Sequence, residues 1–520
     1  MPGTTVEELL ARHERERPEH VAFDIDGRRM TWGELARAAR DVAAGLQPVL
    51  GVTRGDHVAI LMPNSIEWVV WALACGLAGA TIVPLNTRLQ PDEVAYQLAQ
   101  SDAAAVVTDG RYVELLERVG AHERSGERFP RLRHVVVLGD DAGALQWATP
   151  YEPPAVGPAA PAERGTADDV LIMQYTSGTT AFPKGALLTQ GQVLLNAAGV
   201  AGRMHVSDRD RVCSPSPFFH SGGSTLLLFL GLVTGATVLS FGRFDPADVL
   251  ATIEREQATI YNGIESFFIG LLKDPSFAPE RVRSVRTGWI AASAELVGQV
   301  HEEMGMTGII NVYGVSEASP NVTIADADAP PEVRRTCGPP HSGTEVRIVD
   351  ERTGEPLGAN RSGLIEVRGP CVMQGYYAKP DATAEVLGTD GWLKTGDRGR
   401  LDDAGNLVYE GRGKEMLRVG GENVAPAEVE SALLRHPDIA QAAVIGIPHE
   451  ELQEVPAAFV APEPGRSLDP AAVSAYAAER LAKFKVPRTV HVVDELPMTG
   501  SGKVQKFRLA ELVADPEGGS

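Results

Sequence analysis

The chain has 520 residues, with 48 Lys plus Arg against 69 Asp plus Glu, so it carries a net charge of −21 and has room for roughly two to four domains. With 43% hydrophobic and 22% charged residues, it has the composition of a globular enzyme and not of a disordered chain. The acidic balance argues against a nucleic-acid binder, which needs a basic surface to neutralise phosphates. The four cysteines are scattered with no C-x-x-C pair, which fits neither a zinc site nor a disulfide framework and suits a reducing cytoplasm.

In chain order, Thr4-Thr5-Val6-Glu7-Glu8-Leu9-Leu10 reads as a capping box opening an amphipathic helix, and no secretory signal is expected. The short apolar runs Val58–Leu61, Thr81–Pro84, Ala105–Thr108 and Val135–Leu138 read as buried strands, with helices over Ile66–Leu77 and Glu93–Gln100 between them. That alternation predicts an α/β protein with largely parallel sheets. The Pro/Ala-rich stretch 150–165 reads as a surface connection. Residues 212–242 lack Asp, Glu, Lys and Arg, but Gly222-Gly223 and Thr234-Gly235-Ala236 divide them into a buried helix, a turn and a strand, so no membrane span is expected.

After about residue 340, closely spaced strands (Val346–Val349, Leu364–Val367, Leu407–Tyr409) predict a small β-barrel-like region. Beyond Gly411 a third pattern begins. It has a helix at Pro426–Leu434, strands at Ala442–Ile447 and Ala457–Val460, a helix at Pro470–Lys483 and a strand at Thr489–Val493. The expected division is therefore a large domain over 1–411 and a small α+β domain over 412–520.

The chemistry concentrates in loops. The strand Val170–Tyr175 runs into Thr176-Ser177-Gly178-Thr179-Thr180-Ala181-Phe182-Pro183-Lys184-Gly185, a donor-rich loop suited to polyphosphate oxygens. It is not a Walker A loop, because Pro183 stands where that pattern needs Gly and no Ser or Thr follows Lys184. Only nine of the 48 basic residues are Lys, which adds weight to Lys184. In Asn311-Val312-Tyr313-Gly314-Val315-Ser316-Glu317, an aromatic can cover a purine, a hydroxyl can bind phosphate and a carboxylate can hold Mg²⁺. Either residue taken alone reads better as structural, a strand end with a buried Tyr313 and a solvated Glu317.

The string Tyr175-Thr176-Ser177-Gly178-Thr179-Thr180-x-x-Pro183-Lys184-Gly185 resembles the phosphate loop of the adenylate-forming superfamily, which includes the AMP-dependent acyl-CoA ligases. The resemblance runs from Leu9 to Leu509. It implies a large N-terminal domain of two mixed or parallel sheets with flanking helices and a β-barrel-like subdomain, plus a small mobile C-terminal domain. It also implies ATP or an acyl-adenylate, Mg²⁺ and coenzyme A as cofactors and co-substrates.

Carried over residue by residue, the resemblance gives Thr176, Ser177, Gly178, Thr179, Thr180 and Lys184 to the phosphates. It sets Tyr313 and Gly314 beside adenine, Ser316 at the α-phosphate and Glu317 at Mg²⁺. Asp397, in Gly391-Trp392-Leu393-Lys394-Thr395-Gly396-Asp397, takes the ribose hydroxyls with help from Arg412, and Lys414 is the hinge. Lys503, in Thr499-Gly500-Ser501-Gly502-Lys503, is the catalytic cation between the attacking carboxylate and the α-phosphate. Pro217-Phe218-Phe219-His220-Ser221-Gly222-Gly223 matches the aromatic-His segment beside the acyl group. His220 is expected to act as a gate or wall with no proton-transfer role.

Phe218, Phe219, Gly222, Tyr261, Trp289 and Ala292 are the expected acyl walls, with Glu265 disfavouring a second substrate carboxylate. Gly420 and Gly421 would leave a channel for pantetheine. Ala181 and Ala292 stand where the family usually has Gly. Ala292 is expected to narrow the acyl region, and Ala181 would cost about 1 kcal/mol if its backbone must be left-handed.

The expected activity is acyl-CoA formation from an apolar, cyclic or bulky carboxylic acid. Two alternatives stay open: an enzyme limited to thioester formation from a supplied acyl-adenylate, or one loading a carrier protein in place of CoA.

Overall fold

The computed structural model describes residues 3–121, 128–139, 147–149, 151, 164–176, 183–412, 417–419, 422–449, 452–481, 483–498 and 504–514. The loop residues Ser177, Gly178, Thr179, Thr180 and Ala181, the hinge Lys414, the glycines Gly420 and Gly421, and Lys503 lie outside them, as does most of the stretch 150–165. The chain divides into two compact units. The first holds Met1–Val346, Glu366–Lys394 and Gly405–Leu407, and the second holds Arg347–Ile365, Thr395–Ala404 and Val408–Ser520. The smaller unit thus takes in stretches well before the expected junction at 411–412.

Within the first unit, a six-stranded sheet runs in the order His134–Leu138, Ala103–Asp109, His57–Leu61, Thr81–Pro84, Val170–Thr176 and Lys184–Thr189. All its pairings are parallel except the last. Continuous apolar runs make these strands, as burial on both faces requires; Ala59, Val83, Val106 and Val135 are wholly buried in one core. Each predicted strand is present, and the helices Ile66–Ala78 and Pro91–Gln100 cover them. The opening helix Val6–Glu16 carries the predicted capping box, formed by Thr5 and Glu8.

The second large sheet runs Asn321–Ile324, Gly308–Gly314, Thr287–Ala291, Ile260–Tyr261, Arg211–Cys213, Thr237–Ser240, Val21–Ile25 and Arg28–Thr31. Its six inner strands are parallel and its two edges antiparallel. The uncharged stretch 212–242 folds as expected into a helix, a turn and a strand. The helix includes one π-helical turn over Ser224–Phe229 and ends at Gly235, whose φ of 79° needs a glycine. No helix among the described residues is long and apolar enough to cross a membrane.

A four-stranded sheet orders Glu345–Val349, Gly363–Arg368, Leu393–Leu401 and Leu407–Arg412. In the second unit, a five-stranded sheet joins Glu422–Val424, Leu417–Val419, Gln453–Pro462 and Ile439–His449, with Thr489–Val492 alongside Gln453–Pro462. The helix expected over 470–483 stops at Ala478, where the amide of Arg480 turns back to the Ala477 carbonyl at 3.1 Å and tightens the last turn.

Candidate active site

Four segments follow four neighbouring parallel strands at their carboxyl ends. Residues 217–223 follow Arg211–Cys213, Asn262 follows Ile260–Tyr261, Ala292 follows Thr287–Ala291, and Ser316-Glu317 follow Gly308–Gly314. Loops at that edge of an open parallel sheet form a crevice, the usual place for a ligand in such folds. Residues more than a hundred positions apart are thus neighbours because the strands before them are hydrogen-bonded side by side.

The turn Ser316–Ala318 is held tightly. A Cβ on Gly314 would lie 2.1 Å from the Pro320 carbonyl oxygen, so only glycine lets the chain fold back there. The Met373 amide donates to the Glu317 carbonyl at 2.7 Å, and the Tyr376 hydroxyl donates to Glu317 Oε1 at 2.8 Å. Ser316 and Ser221 bring their hydroxyl oxygens to 3.4 Å, tying the aromatic-His segment to the Tyr313–Glu317 segment. Tyr313 is buried on the strand that leads in.

The phosphate-loop hairpin joins the same assembly. Thr176 and Lys184 are register partners at its mouth. The segment 374–377 pairs with the strand Lys184–Thr189: Leu187 donates to Gly375, Gln374 to Leu187 and Tyr377 to Gly185, at 2.8–2.9 Å. That pairing sets the Lys184 ammonium 5.3 Å from the centre of the Tyr376 ring. The Gln174 amide also donates to the Phe219 carbonyl at 3.0 Å, joining the two large sheets. Lys184, Tyr376, Glu317, Ser316 and Ser221 therefore form a connected set.

Glu317 Oε2 takes no hydrogen bond among the described residues, and hydroxyl oxygens surround the turn. One half-buried carboxylate among hard oxygen donors fits Mg²⁺, which binds by one or two carboxylates and completes its shell with phosphates and water. Tyr376 was not legible as a site residue in the sequence; two adjacent tyrosines after a glycine carry no chemical signature of their own.

The expected acyl walls divide by sheet face. Alternation along Thr287–Ala291 sends Ile290 into the core with Tyr261, Phe268 and Leu296, and Trp289 to the other face. There the Trp289 ring lies against Gly222, where a Cβ would meet it at 3.5 Å. Phe219 and exposed His220 belong to the same segment. Phe218 does not join them. Its ring is wholly buried and lies 5.3 Å from that of Trp68, because its amide is anchored to Asn64 Oδ1 at 2.6 Å. Tyr261 is likewise wholly buried on the opposite face, and burial pushes its phenol well above the ordinary range.

Ala292 packs against the core of Ile290 and Leu296, and Asn311 clamps it by accepting from its amide at 3.2 Å and donating to its carbonyl at 2.9 Å. Its backbone avoids the left-handed region. Its methyl thus lies on the other side of the sheet from Trp289.

In the second unit, Gly396 turns the strand Leu393–Leu401 with a φ of 76°, and Asp397 follows it, only 3% exposed. Its amide donates to Thr395 Oγ1 at 3.1 Å, and Arg412 Nε lies 3.0 Å from its Oδ1. Arg412 thus lies beside the carboxylate that was expected at the ribose.

Residues 10–377 match the AMP-binding enzyme family and residues 428–503 its C-terminal domain. The chain is 38% identical over 515 residues to the 3-[(3aS,4S,7aS)-7a-methyl-1,5-dioxo-octahydro-1H-inden-4-yl]propanoyl:CoA ligase of Mycobacterium tuberculosis, covering 98% of this chain and 99% of that protein. The anthranilate CoA ligase solved with anthranoyl-AMP superposes with a TM-score of 0.85 at 27% identity, covering 99% of this chain and 98% of the other. The o-succinylbenzoate CoA synthetase of Bacillus subtilis, solved with ATP and a magnesium ion, gives 0.80 at 29% identity, covering 96% and 99%. A fold, an ordered set of motifs and full-length kinship therefore agree: the chain belongs to the AMP-binding, adenylate-forming acyl-CoA synthetases and is an acid–thiol ligase.

Proposed function

We propose that the enzyme activates a largely apolar, cyclic or bulky carboxylic acid with ATP and passes the acyl group to coenzyme A. The observation that carries this reading is the connected set Lys184–Tyr376–Glu317–Ser316–Ser221, which lies at the strand ends next to the Gly222 that the Trp289 ring rests against. The relatives named above act on a fused-ring propanoate and on ring-bearing acids, and these support the cyclic class.

In the first step a carboxylate oxygen attacks the α-phosphorus, and the bond to the pyrophosphate oxygen breaks. Lys184 and the loop before it hold the leaving phosphates, Ser316 steadies the α-phosphate, and Lys503 is assigned to the charge that develops between acid and phosphorus. Mg²⁺, when bound at Glu317, neutralises polyphosphate charge. Tyr376 orients that carboxylate. Asp397 holds the ribose, and Lys414 is assigned as the hinge that lets the Gly420-Gly421 segment face the site for the second step. There the thiol of CoA attacks the acyl carbon and AMP departs.

The test is a graded series of acids with ATP, Mg²⁺ and CoA, following AMP, pyrophosphate and thioester together. The reading predicts all three in equal amounts with cyclic acids and little product with dicarboxylates. Thioester formed only from synthetic acyl-adenylate would replace it with the half-reaction alternative, and a carrier protein outcompeting CoA would replace the acceptor.

A further inference from the structure

The sheet face that carries Trp289 holds polar groups that an apolar acid would leave unpaired. Asn262 is wholly buried between Ile260–Tyr261 and Gly263–Ile264; since Tyr261 enters the opposite core, alternation puts Asn262 on the Trp289 face. Its Oδ1 accepts the Trp289 backbone amide at 3.0 Å, which fixes the orientation of the side-chain amide and leaves Nδ2 with two hydrogens and no acceptor among the described residues. The Trp289 indole Nε1, on a residue 3% exposed, also has no partner among the described residues.

Thr225 lies one turn beyond Gly222, the residue against which the Trp289 ring rests, and is wholly buried. Its hydroxyl makes no bond among the described residues, although the neighbouring Ser224 hydroxyl donates back to the His220 carbonyl at 3.2 Å in the way helical hydroxyls usually do. Thr225 falls in the π-helical turn Ser224–Phe229, and such turns occur often at functional sites.

Buried donors are nearly always satisfied in native proteins, because leaving one unpaired forfeits its hydration for nothing. Two such groups on one sheet face, Asn262 Nδ2 and Trp289 Nε1, with the Thr225 hydroxyl on the segment that follows Gly222, call for an acceptor that none of the described residues provides. We propose that the acid handled by this enzyme carries an oxygen acceptor, a ring carbonyl or its equivalent, on an otherwise apolar ring, and that Asn262 Nδ2, Trp289 Nε1 and Thr225 Oγ1 are the specificity-determining groups that receive it. This rests on the acyl-CoA ligase reading above and names the substrate class within it. A site that hydrogen-bonds a substrate oxygen rejects the analogue lacking it far more strongly than an apolar pocket rejects a missing methylene, since rejection strands its own donors.

The test compares 3-cyclohexylpropanoate with its 3-oxo and 4-oxo ring derivatives in the native enzyme, reading kcat/KM from AMP release. At least one oxo acid is expected to be preferred by tenfold or more. In Trp289→Phe and Thr225→Val the ratio of oxo to deoxy kcat/KM should fall at least threefold, a quantity that general damage to the protein leaves in place. A native enzyme that prefers the deoxy acid over both oxo acids, or a preference that survives undiminished in both variants, overturns the proposal alone. No AMP from any acid of the series overturns it together with the ligase reading on which it stands.

Discussion

Tyr376 gives its hydroxyl hydrogen to Glu317 across 2.8 Å while the Lys184 ammonium sits 5.3 Å from the centre of its ring. One phenol thereby relates the carboxylate assigned to the metal and the cation assigned to the phosphates. Tyr376→Phe keeps the ring and removes the hydrogen bond. It is expected to lower kcat/KM for pyrophosphate release by about tenfold, near the lower end of the range for one neutral donor on a charged acceptor. The Mg²⁺ concentration for half-maximal rate should rise, and the melting temperature should barely move. Glu317→Gln should cost far more. Equal Mg²⁺ dependence in wild type and Tyr376→Phe would show that the phenol does not orient the metal-binding carboxylate.

Gly314 makes the Glu317 turn possible, because an added Cβ would sit 2.1 Å from the Pro320 carbonyl oxygen. Gly314→Ala must therefore displace backbone and not merely a flexible side chain. The expected loss of stability is about 2–3 kcal/mol, the usual range for forced overpacking. Activity should fall beyond what the unfolded fraction explains, since the turn carrying Ser316 and Glu317 shifts with it. A thermal melt and a pyrophosphate-release rate on the same sample check both.

Much of the fold was readable because burial on both faces of a parallel strand demands unbroken apolar runs, as in Val58–Leu61 and Val135–Leu138. The motif residues were readable because Thr176, Lys184, Ser316 and Glu317 are chemically unusual strings in fixed order. What stayed illegible was the direction of individual side chains. Trp289 and Tyr261 look alike as wall candidates, yet alternation sends one to the helix-covered face with Gly222 and the other into the core with Phe268. Phe218 and Phe219 are adjacent, and only the bond from the Phe218 amide to Asn64, 154 residues away, commits Phe218 to the core. Tyr376 escaped notice for a similar reason: its role comes from pairing between residues 374–377 and Lys184–Thr189, which no local pattern announces.

Asp397 and Arg412 lie within the second unit with Nε and Oδ1 3.0 Å apart, and the carboxylate is buried while the guanidinium is partly exposed. Arg412 both compensates the buried charge and directs the carboxylate that is assigned to ribose. Arg412→Ala should raise the KM for ATP by about tenfold and lower stability. Arg412→Lys should recover part of the stability and less of the affinity, because a point charge does not fix a carboxylate's plane as a guanidinium does. Equal KM values in Lys, Ala and wild-type proteins would remove Asp397 from the nucleotide site.

His13 supplies a pH dependence of stability with a definite sign. Its imidazole is 1% exposed, lies 4.4 Å from the Trp32 ring and bonds the Leu232 carbonyl at 2.7 Å. Burial lowers its pKa from 6.5 to about 4. His341 is lowered to about 4 by the same cause, bonded to the Asn321 carbonyl at 3.1 Å. Because the folded values lie below the unfolded one, the unfolded chain binds these protons first as pH falls. Their contribution is complete above about pH 6.5 and is lost progressively between there and pH 4. A displacement of this size corresponds to roughly 3 kcal/mol for each ring. The urea midpoint should therefore drop steeply from pH 7 to pH 5. His13→Gln, which can still donate to Leu232 but does not titrate, should be less stable at pH 7 and show a shallower slope. An identical slope in the two proteins would mean that His13 does not titrate between the folded and unfolded states.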